Sequence, residues 1–286
     1  MGMTDPAAPP SVRPQRRAPA RALMQTAEAL RLAAAAGFAD FAAIHTWRTW
    51  LFGWLGRVLC QVAFFALIGR LLDSADSTRY LLVGNAVLIA VMESMFVVAS
   101  TTWERRTGVL PLLVAAPTDP VLVFCGRSAQ WLASGTVSAT IALFVMAPVF
   151  GVELPMPRAL LVVPLIGLVS VSAYCFALVL AGLVLRAMML RNVVGNIGWL
   201  CISLVAGAQV PVQALPDWLR AVGFVSPARH GTAAVRATLD HRPGSEVLRQ
   251  AGLELLVAAG WLTVAVLTFR RLAEHGRRDG SITFDG

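Results

Sequence analysis

The chain has 286 residues, of which 57% are hydrophobic and only 14% charged, with a mean hydropathy of +0.69. A soluble domain carries about 25% charged residues, so this composition excludes an ordinary water-soluble protein and indicates an all-α polytopic membrane protein. The net charge is +8 and all 24 basic residues are arginine; without a lysine the chain cannot supply a Walker A loop, which reaches nucleotide phosphates through one.

Residues 1–20, rich in Pro, Ala and Arg, read as a disordered tail, with no apolar run of a cleavable signal after Arg16-Arg17. From Arg21 onward, Leu23, Ala27, Leu30, Ala34, Phe38, Phe41 and Ile44 recur at helical spacing on one face. Residues 21–48 therefore predict an amphipathic helix lying at the membrane surface, a soluble packing helix being the alternative.

Residues 49–272 predict six transmembrane helices, at about 50–72, 80–101, 128–150, 159–185, 193–210 and 248–269. Residues 273–286 form a tail. An even number of crossings leaves both termini on one side. Of the 24 arginines, sixteen fall on the side of the termini and eight on the other, a bias that places the termini in the cytoplasm. Arginines flanking apolar spans fit membrane topology rather than nucleic-acid binding. Cys60, Cys125, Cys175 and Cys201 fall singly, so neither disulfides nor a metal site is expected.

Between spans 2 and 3 lies Glu104 to Pro120, ERRTGVLPLLVAAPTDP. It is too short to span a bilayer and too apolar for a plain linker. It predicts a short surface helix facing the cytoplasm. Between spans 5 and 6, Pro211 through Leu215-Pro216-Asp217-Trp218 to Ser226-Pro227 and Ala233–Leu239 is half apolar and broken by prolines. That pattern predicts an external re-entrant or interfacial segment, with a plain loop as the alternative.

Polar residues inside the spans mark candidate sites. Arg57 and Gln61 lie one turn apart in span 1, and Asn85 and Glu93 share a face of span 2. A lone charge there costs about 2.5–3.5 kcal/mol, so Arg57 and Glu93 are expected to pair, or Glu93 to line a wet cavity. Asn192, Asn196, Trp199 and Ser203 form a stripe on span 5 that faces either a translocation path or a neighbouring helix. Ala173, Ala177 and Ala181 form a small-residue packing seam on span 4. No G-x-S-x-G or H-E-x-x-H motif occurs, and no catalytic or metal-ligating residue is assigned.

The chain resembles the ABC-2 type permease family, in particular its daunorubicin-resistance permease-like branch. Three features carry the resemblance: Glu104-Arg-Arg-Thr-Gly108-Val-Leu110 through Leu112-Leu113 to Pro117-Thr-Asp119, the segment from Pro211 to Arg236, and the order of surface helix and six spans. The chain departs from the family pattern at Pro111 and at Ala206-Gly207-Ala208. The resemblance implies a half-transporter of the bacterial plasma membrane, working with a separate ABC ATPase subunit that holds ATP and Mg, and with a second permease copy, either identical or related. It implies that Glu104, Arg105, Arg106, Gly108, Val109, Leu110, Leu112, Leu113, Pro117 and Asp119 dock on that ATPase as a coupling helix. Candidates for the path or a buried pair are Arg57, Gln61, Asn85, Glu93, Asn196, Trp199 and Ser203. Pro211, Leu215, Pro216, Trp218 and Pro227 belong to the re-entrant segment. The implied activity is ATP-driven export of a small hydrophobic or amphipathic compound such as a drug, antibiotic or natural product. Export of a lipid-linked glycan or polysaccharide, ion-coupled transport through Glu93, and a non-transporting scaffold are the alternatives.

Overall fold

The computed structural model describes residues 19–44, 46–100, 120–184 and 188–279, and among these it is helical throughout with no strand. Helix α1 (Pro19–Ile44) is followed by a π-helical turn, Thr49–Leu55, that runs directly into α2 (Gly56–Leu71). Thr46 Oγ1 accepts from the Thr49 N–H at 3.3 Å and so starts that turn. A tight link with Asp73 in the left-handed region (φ 50) reverses the chain into α3 (Ala75–Ser94). Ser74 caps α3 by accepting from Ser77 N–H, and Asp76 sits in its first turn against the positive end of the helix dipole. After a turn at Met95 the chain is helical again to Ser100.

Helix α4 (Pro120–Val149) opens with proline, whose missing N–H costs nothing at a first helical position. It starts eight residues before the predicted Ser128. A 3-10 turn, Arg158–Leu161, leads into α5 (Val162–Val184). Then come α6 (Arg191–Val205), α7 (Asp217–Phe224), α8 (Arg229–Leu239) and α9 (Gly244–Asp279). Helix α9 extends well into the expected C-terminal tail.

Among the described residues five helices are long and apolar enough to cross a membrane: 49–71, 75–100, 123–149, 158–184 and 244–272. The predicted fifth span, 193–210, is shorter than expected. Helix α6 stops at Val205 because Gly207 takes a left-handed conformation (φ 68), a backbone that ends helices. Its 15 residues cover about 22 Å, against about 30 Å of hydrocarbon. Nevertheless α6 runs antiparallel along α3, from Gly195 beside Met95 and Val98 to Ala208 beside Gly84. Gly84 is required there: a Cβ would overlap the Ala208 carbonyl and approach the Arg236 guanidinium.

The span containing α3 is the centre of the bundle, with 83% of its apolar window buried, against 22% for the span of α2 and 17% for that of α9. It packs against α2, α4 and α5. The predicted alanine seam on α5 lies wholly inside this core, Ala173, Ala177 and Ala181 being inaccessible. Helix α1 turns only part of its predicted stripe, Leu30 and Phe41, to a neighbour. It packs alongside the first turns of α4 through Ala33 and Gly37, with Asp40 accepting from Arg127 at 2.9 Å and Phe41 edge-on to Trp131. Phe38, on the predicted stripe, stays exposed. Small residues allowed closer approach on the rotated face than the bulky stripe would.

This topology sorts the connections onto two ends. Residues 72–74, 150–157 and 206–243 gather at one end. Residues 46–48, Ser100, the start of α4, residues 188–190 and the C-terminal part of α9 gather at the other.

Candidate functional site

The predicted coupling segment falls outside the described residues: Glu104, Arg105, Arg106, Gly108, Val109, Leu110, Leu112, Leu113, Pro117 and Asp119 all belong to 101–119. Its flanks are described. At that end Trp54 of the π turn, Phe96 and Trp131 of α4 form an aromatic cluster, with Phe96 stacked on Trp131 at 5.1 Å and Trp54 at 5.0 Å from Phe96. Three membrane helices and α1 converge there.

Glu93 is fully buried on α3, but Arg57 is not its partner. The Trp54 indole N–H donates to Glu93 Oε1 at 2.9 Å. Arg57 instead lies over the Trp54 ring at 4.9 Å and directs NH1 to the Met92 sulfur at 3.6 Å. The two charges do sit at similar depth, as helix rise predicts. The neutral indole reaches the carboxyl without the desolvation cost of bringing the exposed guanidinium inward. Ser134 and Ser138 of α4 also neighbour the carboxyl, although among the described residues no hydrogen bond of ordinary geometry reaches their hydroxyls or Glu93 Oε2. Gln61 Nε2, buried on α2, likewise has none.

Asn85 lies higher on α3, where its amide donates to Leu81 O and its carbonyl accepts from Gln209 at 3.0 Å. It serves the turn after α6 and not Glu93. The stripe on α6 divides. Asn192 and Asn196 are exposed, Trp199 is half-buried with an unpartnered N–H, and Ser203 is buried and donates to Leu200 O. By a 3.6-residue period positions 192, 196, 199 and 203 share one face, so the division runs along the helix: the exposed pair lies near its start and the covered pair nearer its end.

The segment after α6 forms a helical hairpin. Pro211 precedes a short 3-10 turn, Leu215 is buried, Pro216 caps α7, and Trp218 on α7 is exposed. The chain reverses at 225–228, including Pro227, and α8 returns with one side buried. Two residues of α9 hold the reversal. Trp261 Nε1 donates to Val225 O at 2.9 Å. Glu254, inaccessible to solvent, accepts from Ala228 N–H and Gly231 N–H, each at 2.8 Å, one on each carboxylate oxygen. Glu254 lies ten residues into α9, so the reversal is seated about 15 Å along that span from its start. A Cβ at Gly231 would overlap Val169 of α5, which fixes how closely α8 approaches the bundle.

At its far end α8 is clamped to α3. The Arg236 guanidinium donates to the carbonyls of Gly207, Ala208 and Tyr80 and lies 3.5 Å from the Tyr80 ring centroid. Tyr80 in turn donates to Gly207 O, and Arg79 pairs with Asp240 at 2.9 Å. Burial pushes the Arg236 pKa below its ordinary value, against the opposing influence of Tyr80 and Asp240.

Ala228, at the reversal, holds a left-handed backbone (φ 70) with its methyl buried. Ala228→Gly is expected to change stability by less than about 1 kcal/mol, since relief of left-handed strain offsets the lost methyl. Ala228→Val adds a β-branch at positive φ and is expected to lower the thermal midpoint of the purified protein sharply. A midpoint unchanged by valine would contradict the assigned backbone.

Sequence reasoning overlooked Glu254, Trp54 and Tyr80. Glu254 is the one acidic residue within the predicted sixth span. The rule that singled out Glu93, that an ionisable side chain at depth has a specific partner, applied to it equally.

A family model described as ABC-2 type transporter matches residues 39–239, well over half of the chain. No curated protein gives a significant match.

Proposed function

Since the chain belongs to the ABC-2 type transporter family and is a multi-pass membrane subunit of that kind, we propose that it forms the path of an ATP-driven exporter in a bacterial plasma membrane. Its substrate in this reading is a small hydrophobic or amphipathic compound, and the power comes from a separate ATPase subunit holding ATP and Mg. Both termini are cytoplasmic, α6 together with the turn at 206–210 makes the fifth of six crossings, and 211–239 is the external re-entrant segment. The observation that carries this topology is the seat of the α7–α8 reversal on Glu254 and Trp261, well along the last span. The arginine bias agrees with it, because the end bearing 101–119 is the arginine-rich one.

A second copy of the permease completes the path. Helices α2 and α6 both contact α3 and both leave apolar side chains uncovered, among them Phe52, Phe64, Ile197 and Leu200. Such faces in a bundle otherwise well packed suit lipid or another copy.

Residues 104–119 dock on the ATPase, with Val109, Leu110, Leu112 and Leu113 as the apolar anchors that supply most of the binding energy. Co-purification of the chain with a co-expressed candidate ABC ATPase subunit tests this. Wild type is expected to retain the ATPase, whereas Leu110→Asp and Leu113→Asp lose it together with transport. Retention by both variants would remove the coupling role from this segment.

One observation favours a second reading. A carboxylate buried in a span with an unpartnered oxygen, Glu93, is what an ion-coupled carrier would use.

A further inference from the structure

We infer that the cavity of about 310 Å³ between the α7–α8 hairpin and the first turns of α9 binds an anionic phospholipid, headgroup against arginine and acyl chain along its apolar wall. The volume is within the range of ligand pockets. Arg229, Arg236 and Arg249 line it together with Val212, Phe224 and Leu253, and no carboxylate does.

The state of the arginines at this end separates structural from available charge. Arg79 pairs with Asp240, Arg220 with Asp217, Arg158 bonds the Arg242 carbonyl, and Arg236 is spent on three backbone carbonyls. Arg229 reaches only the Arg220 carbonyl at a long 3.4 Å, and neither it nor Arg249 has a carboxylate within ion-pair distance among the described residues. Burial and the adjacent Arg220 charge both push the Arg229 pKa down. Two unneutralised guanidiniums at the rim of an apolar cavity call for an anion with a hydrophobic body.

Position selects lipid over a free anion. Arg249, Gln250 and Leu253 lie within about 8–14 Å of the start of the last span, the depth of headgroups and first methylenes. Trp218, Val222, Phe224 and Val225 are exposed on the neighbouring hairpin, an apolar and aromatic rim suited to the membrane interface.

The test uses the purified full chain in a neutral detergent, with dioctanoyl phosphatidylglycerol, dioctanoyl phosphatidylcholine and inorganic phosphate as probes and the thermal midpoint as readout. Phosphatidylglycerol is expected to raise the midpoint saturably, and the other two to leave it in place. Arg229→Gln/Arg249→Gln is expected to weaken the phosphatidylglycerol response at least about tenfold, and Arg229→Lys/Arg249→Lys to keep most of it. Should the double glutamine variant not survive purification, Arg249→Gln alone, at an exposed position, carries the same comparison. An equal response to phosphatidylcholine, an equal response to phosphate alone, or an undiminished response in the glutamine variants overturns the assignment. None of these outcomes depends on whether an ATPase binds or on what is exported.

Discussion

Glu254→Ala is expected to be the most damaging single change outside the helix cores, lowering stability by about 3–5 kcal/mol. Both carboxylate oxygens are used: Oε1 accepts from Ala228 and Oε2 from Gly231. Truncation leaves two buried N–H groups at the start of α8 without acceptors, each worth about 1–3 kcal/mol in lost solvation, and opens a cavity beside them. Glu254→Gln retains one acceptor and turns its amide NH₂ toward the other N–H, so it should fall between alanine and wild type. Glu254→Asp keeps both oxygens on a shorter arm and should fall there too. The measurement is the thermal midpoint of purified protein, joined to limited proteolysis at 240–243. An alanine variant as stable and as resistant as wild type would show that the hairpin does not depend on this anchor.

The second large effect concerns Glu93 and separates the two transport readings. Trp54 N–H needs an acceptor at Oε1, while Ser134 and Ser138 lie near the unpartnered Oε2. Glu93→Gln keeps the acceptor, adds donors for the hydroxyls and removes any charge, so its stability should equal or exceed wild type. Glu93→Leu strands the Trp54 indole N–H and should cost about 1–3 kcal/mol. In an ATP-driven exporter Glu93→Gln continues to transport. In an ion-coupled carrier it keeps its fold and loses transport. The paired stability and transport measurements therefore decide the role of this residue.

The class of fold was legible because composition and the length of apolar runs are one-dimensional properties. Four crossings and the last helix were recovered from them, with errors of eight residues at the start of α4, where a proline opens the helix early, and ten at the end of α9. The end of the fifth predicted span was misplaced because apolar residues continue to Val210 while the backbone turns at Gly207, and hydropathy does not report φ. The Arg57–Glu93 expectation identified the right depth but ignored side-chain direction. Trp54, one turn before Arg57, holds the inward position. The anchors of the hairpin escaped notice because they pair residues 26 or more apart in sequence, Ala228 with Glu254 and Arg236 with Tyr80. Such partners have no local period to betray them.

The buried helix at the centre of the bundle has a mechanical consequence. The span 75–100 is a rod of about 39 Å, hemmed in along most of its length. One end carries the tether to the hairpin through Arg79 and Tyr80, and the other leads straight into residues 101–119. A rod packed in this way has no slack in which to absorb a displacement. A push delivered at one end would be carried to the other largely as rigid motion, with the turn at Met95 as the break in the helix along the way.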